Sequence, residues 1–113
     1  WFPLPDMSEA KASCSLSIMG QRFLYSFGGL SRNEKGQAFL NDQIEYLDLI
    51  AAQPAWTKLE ISLPVKACDI GCIPLRSNQI LIFGGWNKNS LQTAFIFERL
   101  EQPSGEVVHR IKQ

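Results

Sequence analysis

Few residues in this 113-residue chain have side chains suited to chemistry. There is one histidine, His109, and there are three cysteines, Cys14, Cys68 and Cys72, and two tyrosines, Tyr25 and Tyr46. The carboxylates Asp6, Glu9, Asp42, Glu45, Asp48, Asp69 and Glu98 show no pairing that spacing alone identifies. No Gly-x-Ser-x-Gly elbow, phosphate-cradling loop or His-Glu-x-x-His segment occurs. Cys68 and Cys72, four apart, fall on one predicted strand with their side chains on the same face. As a metal pair they lack neighbouring ligands, because His109 lies far along the chain. An odd cysteine count without regular spacing argues against a disulfide framework. The cysteines read as small buried hydrophobes in a reducing compartment, hence a cytoplasmic chain, with a place at the cytoskeleton as one version of that. The expectation is no catalytic residue, no bound metal and no cofactor.

The bulk composition narrows the classes further. Hydrophobic residues make up 45% and charged residues 19%, ordinary values for a chain that buries a core. Eleven basic residues balance eleven acidic ones. A nucleic-acid binder carries a basic excess that displaces counterions from phosphates, so no nucleic-acid partner is expected. No apolar run approaches the ~18 residues of a membrane span, and no basic-then-apolar leader opens the sequence. The first residue is Trp1 rather than Met, which reads as a processed product or a piece of a larger whole.

The elements that must carry any site are strands. Short apolar runs punctuated by Gly, Pro, Asn and Ser dominate, and helical periodicity is weak. The clearest runs are Phe23–Phe27, closed by Gly28-Gly29, and Ile80–Phe83, closed by Gly84-Gly85. Both are apolar on both faces rather than alternating, which predicts central strands covered on both sides. Further strands are predicted at Ser13–Ile18, Gln43–Leu49, Trp56–Ile61, Cys68–Leu75, Thr93–Glu98 and Val107–Ile111. Turns fall near Met19-Gly20-Gln21, Arg76-Ser77-Asn78 and Pro103-Ser104-Gly105. The segment Leu47 to Ala52, limited by Pro54, competes as a short helix. Asp48 and Glu98 end the third strand of each half, where an acid commonly accepts hydrogen bonds from turn N–H groups.

The two diglycines lie 56 residues apart, and Phe27 aligns with Phe83 and Leu24 with Ile80 without a gap. Leu4-Pro5 recurs as Leu63-Pro64, with Trp1 and Trp56 ahead of each pair. Four strands and a diglycine in ~50 residues fit the length and content of a propeller blade. The pattern resembles the kelch repeat: a hydrophobic run, Gly-Gly, an acidic residue after an aromatic, then a Trp. The first unit offers Leu24-Tyr25-Ser26-Phe27-Gly28-Gly29, Tyr46-Leu47-Asp48 and Trp56; the second offers Ile80-Leu81-Ile82-Phe83-Gly84-Gly85 and Phe97-Glu98. Leu47 stands directly before the acid in the first, and Val107 or Val108 stands near the closing Trp position in the second.

The resemblance implies an all-β chain of about two four-stranded antiparallel kelch blades. Residues 1–5 would be the tail of a preceding blade, 6–61 a first blade and 62–113 a second. Gly28, Gly29, Gly84 and Gly85 would supply sharp turns and close backbone approach, and Trp56 would pack between blades. No Trp-Asp dipeptide marks a WD-type blade, and the paired cysteines around a buried Trp of an immunoglobulin sandwich are missing. A closed propeller takes about four to eight blades, so further blades are expected in the same or another polypeptide.

Function in such a module collects on loops. By strand count, the loop Leu30–Asp42, the loop Trp86–Ser90 and the link through Pro64, Val65 and Lys66 share one rim. The first loop carries a polar, mobile-looking tip around Arg32 and Lys35. Trp86, Arg32, Lys35, Asn87, Lys88 and Lys66 are therefore the candidate partner-binding residues. Trp86 reads either as an interface anchor or as a cap on a neighbouring blade's core. By analogy with kelch proteins, the leading expectation is a non-catalytic protein–protein interaction scaffold or adaptor. The alternatives are a structural component of a large assembly, or part of a galactose-oxidase-like enzyme whose copper site lies in other blades. The aspartate box of sialidase-type propellers is absent.

Overall fold

The computed structural model describes residues 1–112. Its elements are twelve strands, β1 (Ser15–Met19), β2 (Phe23–Phe27), β3 (Leu30–Arg32), β4 (Ala38–Leu40), β5 (Gln43–Asp48), β6 (Trp56–Ser62), β7 (Gly71–Arg76), β8 (Gln79–Phe83), β9 (Trp86–Asn87), β10 (Asn89–Ser90), β11 (Ala94–Glu101) and β12 (Val107–Lys112). They form two four-stranded antiparallel sheets, β1-β2-β5-β6 and β7-β8-β11-β12, and two small hairpins, β3-β4 and β9-β10. Among the described residues no helix is long and apolar enough to cross a membrane. The competing helix at Leu47–Ala52 does not form. β5 continues to Asp48, whose Oδ1 accepts the Ile50 N–H at 3.2 Å, and a turn follows.

Local chemistry sets the strand ends. Gly20, Gln21 and Arg22 join β1 to β2; Gly20 and Gln21 have φ of 60° and 59°, and the Arg22 N–H reaches the Met19 carbonyl at 3.1 Å. Successive left-handed residues give a turn whose twist suits the flanking antiparallel strands. The predicted strands Ser13–Ile18 and Cys68–Leu75 start late, at Ser15 and Gly71. Ser13 and Asp69 both hold φ at 54°, a left-handed conformation that no strand residue adopts. Cys68 therefore lies outside the strand that carries Cys72, and the two do not share a strand face. All three thiols are free. Pro74 sits on β7, an edge strand, where its missing N–H breaks no ladder bond on the open side.

The diglycines repeat in conformation as well as in sequence. Gly28 and Gly84 have φ of 61° and 65°, and Gly29 and Gly85 have 111° and 102°. A Cβ on Gly28 would run into the Ala67 carbonyl oxygen, and one on Gly29 would meet the Cys14 Cβ at 2.9 Å. Gly85 is crowded in the same way, 2.9 Å from Ile70 Cγ1, whereas Gly84 has only the Leu91 oxygen, at 3.8 Å.

The core lies between the two sheets. Met19, Tyr25, Phe27 and Ile44 from the first meet Ile80, Ile82 and Phe97 from the second, sealed by Leu63, Ala67 and Ile70 of the link. Each fully buried side chain of this size contributes about 1.5–3 kcal/mol. The expectation that both central strands are covered on both faces holds for β2 and fails for β8, whose Phe83 is exposed. The Phe83 ring lies over Gly71, which has no side chain to displace it, and its other side is open. Trp56 opens the outer strand β6 and donates its indole N–H to the Pro5 carbonyl at 2.9 Å, so it is bonded to the N-terminal segment.

Candidate interaction surface

The link between the sheets is stitched to the first diglycine. The Gly29 N–H donates to the Ala67 carbonyl at 2.8 Å, and the Ala67 N–H donates to the Asn41 carbonyl at 3.2 Å. Asn41 is buried; its Nδ2 donates to Ser31 Oγ at 2.9 Å and its Oδ1 accepts the Gln43 N–H at 3.3 Å. The next residue of the link pairs with the second hairpin, since Cys68 and Trp86 exchange backbone hydrogen bonds. Asn87 Nδ2 then donates to the Lys66 carbonyl at 2.7 Å. One rim thus gathers the link, the end of β2 and the β9-β10 hairpin. The Gly20 turn meets Ser77 at the other end, where a Cβ on Gly20 would lie 3.1 Å from the Ser77 carbonyl.

The loop Leu30–Asp42 holds the β3-β4 hairpin. Asn33 Oδ1 accepts the N–H groups of Lys35 and Gln37, both at 2.9 Å, and the Arg32 guanidinium donates to the Gly36 carbonyl at 2.7 Å. An asparagine side chain that imitates a backbone turn shapes this hairpin. Arg32 and Lys35 are exposed, as are Lys66, Lys88 and Trp86, and Asn87 is half-buried. Trp86, Asn87 and Lys66 come together. Among the described residues no hydrogen bond or ion pair joins Arg32 or Lys35 to that group. Lys88 turns the β9-β10 hairpin with φ of 63°.

Two buried polar clusters escaped the reading by spacing. Glu45 has a fully buried side chain, and it accepts hydrogen bonds from Ser8 and from Lys11 Nζ, the latter at 2.7 Å. Burial pushes the Glu45 carboxyl up, but the bonds from Lys11 and Ser8 outweigh it and hold the group below its ordinary value. The second cluster joins the sheets. The Tyr25 hydroxyl lies 2.8 Å from His109 Nε2, and the imidazole stacks on Phe97 with centroids 5.6 Å apart. Burial, helped by the Arg99 charge, pushes His109 down to about 4, and burial pushes the Tyr25 hydroxyl up.

Of the two acids expected to end third strands, Asp48 does end β5, but Glu98 lies inside β11, which continues to Glu101. Asp48 accepts a turn N–H as expected and also pairs with Arg22 at 2.8 Å. Glu98 instead accepts from Gln79 Nε2 at 2.9 Å and from Arg110, with Lys112 at 3.5 Å. The Gln79 and Arg110 hydrogen bonds bring the Glu98 carboxyl down to about 2. Arg110, opposite Glu98 in register on β12, and Lys112 two residues on stand where turn donors were expected.

This rim brings together the Trp86 indole, the Asn87 amide and Lys66, with Lys88 in the same hairpin. Among the described residues no three His, Cys, Asp or Glu side chains gather as a metal cluster. No family model matches the chain. No curated protein matches it either.

Proposed function

We propose that the chain is a pair of kelch-type propeller blades that acts as a non-catalytic protein-interaction module in the cytoplasm. The observation that carries this reading is the repetition of backbone detail at a spacing of 56. Ser13 and Asp69, Gly28-Gly29 and Gly84-Gly85, and the paired residues Ala12–Leu30 and Cys68–Trp86 recur in the same conformations. A scaffold repeated so closely supports loops without taking part in chemistry, and binding residues collect on such loops. The rim with Trp86, Asn87, Lys88 and Lys66, flanked by the Arg32–Lys35 hairpin, is the surface assigned to a protein partner. Aromatic side chains beside amides and basic groups are the usual anchors of such contacts.

The test is capture of interacting proteins by the wild-type chain and by rim variants, with identification by mass spectrometry. A protein retained by wild type and by Arg76→Ala, but lost from Trp86→Ala, supports the reading. A protein lost from Arg76→Ala or Asn78→Ala and retained by Trp86→Ala puts the interface on the opposite rim and overturns it.

A further inference from the structure

The junction between the two sheets serves as a template for the outer faces of both sheets, which are uncovered among the described residues. In the first sheet, Ser17, Met19 and Phe27 face the second sheet and are 7%, 1% and 0% exposed. Their counterparts 56 residues on are Ile73, Leu75 and Phe83, on the outer face of the second sheet, and these are 48%, 45% and 42% exposed. The same positions are covered in the first sheet and bare in the second. The bare side chains are larger and more apolar than Ser17 or a solvated face would require.

The backbone repeats the same contrast. In the covered junction, Gly29 N–H and Asn41 C=O are taken by Ala67. Their counterparts, Gly85 N–H and Leu91 C=O, have no hydrogen-bond partner among the described residues. At the opposite end, Lys11 occupies the place of Ala67, and its N–H and C=O are likewise without backbone partners among the described residues. Beside Lys11, the outward side chains of β1, Leu16 and Ile18, are 52% and 40% exposed. One chain therefore presents an acceptor face and its complementary donor face at opposite ends.

We propose that the chain associates head to tail with a second copy of itself. The outer face of its second sheet, around Ile73, Leu75 and Phe83, receives the first sheet of the neighbour, around Leu16 and Ile18. Gly85 N–H and Leu91 C=O pair with the backbone of the neighbour's Lys11 position, as Gly29 and Asn41 pair with Ala67 within one chain. A second copy fits because one chain carries both halves of the backbone pairing seen in its internal junction, Gly85 and Leu91 at one end and Lys11 at the other. The contact is heterologous, so copies build a ring if the rotation closes and a filament if it does not. The inference rests on the repeated geometry that the blade reading also uses, and not on partner binding at the rim.

The experiment measures molar mass across a range from micromolar to near-millimolar by light scattering after size separation. Wild type is expected to rise above the monomer mass with concentration. Ile73→Arg blocks the tail and Leu16→Arg blocks the head; each alone is expected to stay monomeric. Mixed in equal amounts, they are expected to give one discrete dimer through the single intact junction. Circular dichroism verifies that each variant folds; Leu75→Lys and Ile18→Lys replace any that does not. A monomeric wild type at every concentration overturns the proposal. So does a mixture that yields no dimer. Association by the head-blocked variant alone overturns it too, because that outcome means tail-to-tail pairing. Loss of rim binding in Trp86→Ala with unchanged mass leaves this proposal standing, so the two readings fail separately.

Discussion

The hydroxyl of Tyr25 and Nε2 of His109 lie 2.8 Å apart, although 84 residues separate them in sequence. Tyr25 sits on a central strand of the first sheet and His109 on the outer strand of the second, so the pair ties the sheets together across the core. The imidazole is held among Tyr25, Tyr46 and Phe97, with the Arg99 guanidinium as the charge that disfavours its protonation.

A pH dependence follows from that pair. In the fold His109 titrates at about 4, below its ordinary value of 6.5, so the unfolded chain binds the extra proton more readily between those values. Stability therefore stays level above about pH 6.5 and falls as pH drops toward 4. Glu98 acts in a lower window: its carboxyl is held down to about 2 from 4.5, so its contribution is lost only below 4.5. Denaturant midpoints measured from pH 7 to pH 4.5 should decline in the wild type and stay nearly flat in His109→Gln. An equal slope in both proteins would assign the effect elsewhere.

The ion pair Lys11–Glu45 gives a second prediction. Both side chains are shielded from solvent. Lys11→Met leaves a buried carboxylate without its cation, which costs about 3–5 kcal/mol. Removing both charges with Lys11→Met and Glu45→Leu should recover most of that loss, because well-packed apolar groups of similar volume replace buried pairs at little cost. Urea unfolding of the two variants checks the contrast. Equal losses in the single and double variants would mean that the pair matters through packing and not through charge.

The strands were largely legible in the sequence. Phe23–Phe27 carries its apolar pattern and its diglycine within a few residues, and hydrogen bonding follows from that local pattern. The starts of β1 and β7 were not legible, because nothing in Ser13 or Asp69 announces a left-handed conformation imposed by the junction. The Asp69 N–H donates to the Ser13 carbonyl across the two units at 3.0 Å, a tertiary cause with no local signature. The same holds for Tyr25–His109 and Lys11–Glu45, whose partners are separated by tens of residues. The β3-β4 hairpin did have a signal: Asn33, followed by Gly36, is a turn former, and its Oδ1 accepts the Lys35 and Gln37 N–H groups.

Crowding at the diglycines can be separated from backbone conformation. Gly28 and Gly84 share nearly the same φ, but a Cβ on Gly28 would clash with a carbonyl oxygen, whereas one on Gly84 would meet the Leu91 oxygen only at ordinary contact distance, 3.8 Å. Gly84→Ala carries the conformational cost alone, about 1–2 kcal/mol. Gly28→Ala adds displacement of the Ala67 carbonyl and should cost at least about 1 kcal/mol more, in line with other overpacked sites. Thermal or urea unfolding of the two variants under dilute, monomeric conditions measures the difference. Equal losses would show that the link yields without penalty.

Trp86 must be separated from the core before any binding result on it can be read. Its ring is 44% exposed, and the hydrogen bonds that hold its position are made by its backbone to Cys68. Truncation to Ala keeps that backbone pair and removes a side chain that remains partly in water. Trp86→Ala should therefore cost about 1 kcal/mol of stability or less, as for surface substitutions with limited burial. Phe27, fully buried between the sheets and 5.2 Å from the Phe97 ring, supplies the comparison. Phe27→Ala should cost about 3–5 kcal/mol through lost burial and a cavity. If Trp86→Ala is found to cost as much as Phe27→Ala, the indole is part of the structural frame of the rim, and the anchor role passes to Lys66, Asn87 and Lys88. If it costs little, a loss of about 2 kcal/mol in partner binding on the same substitution belongs to the interface itself.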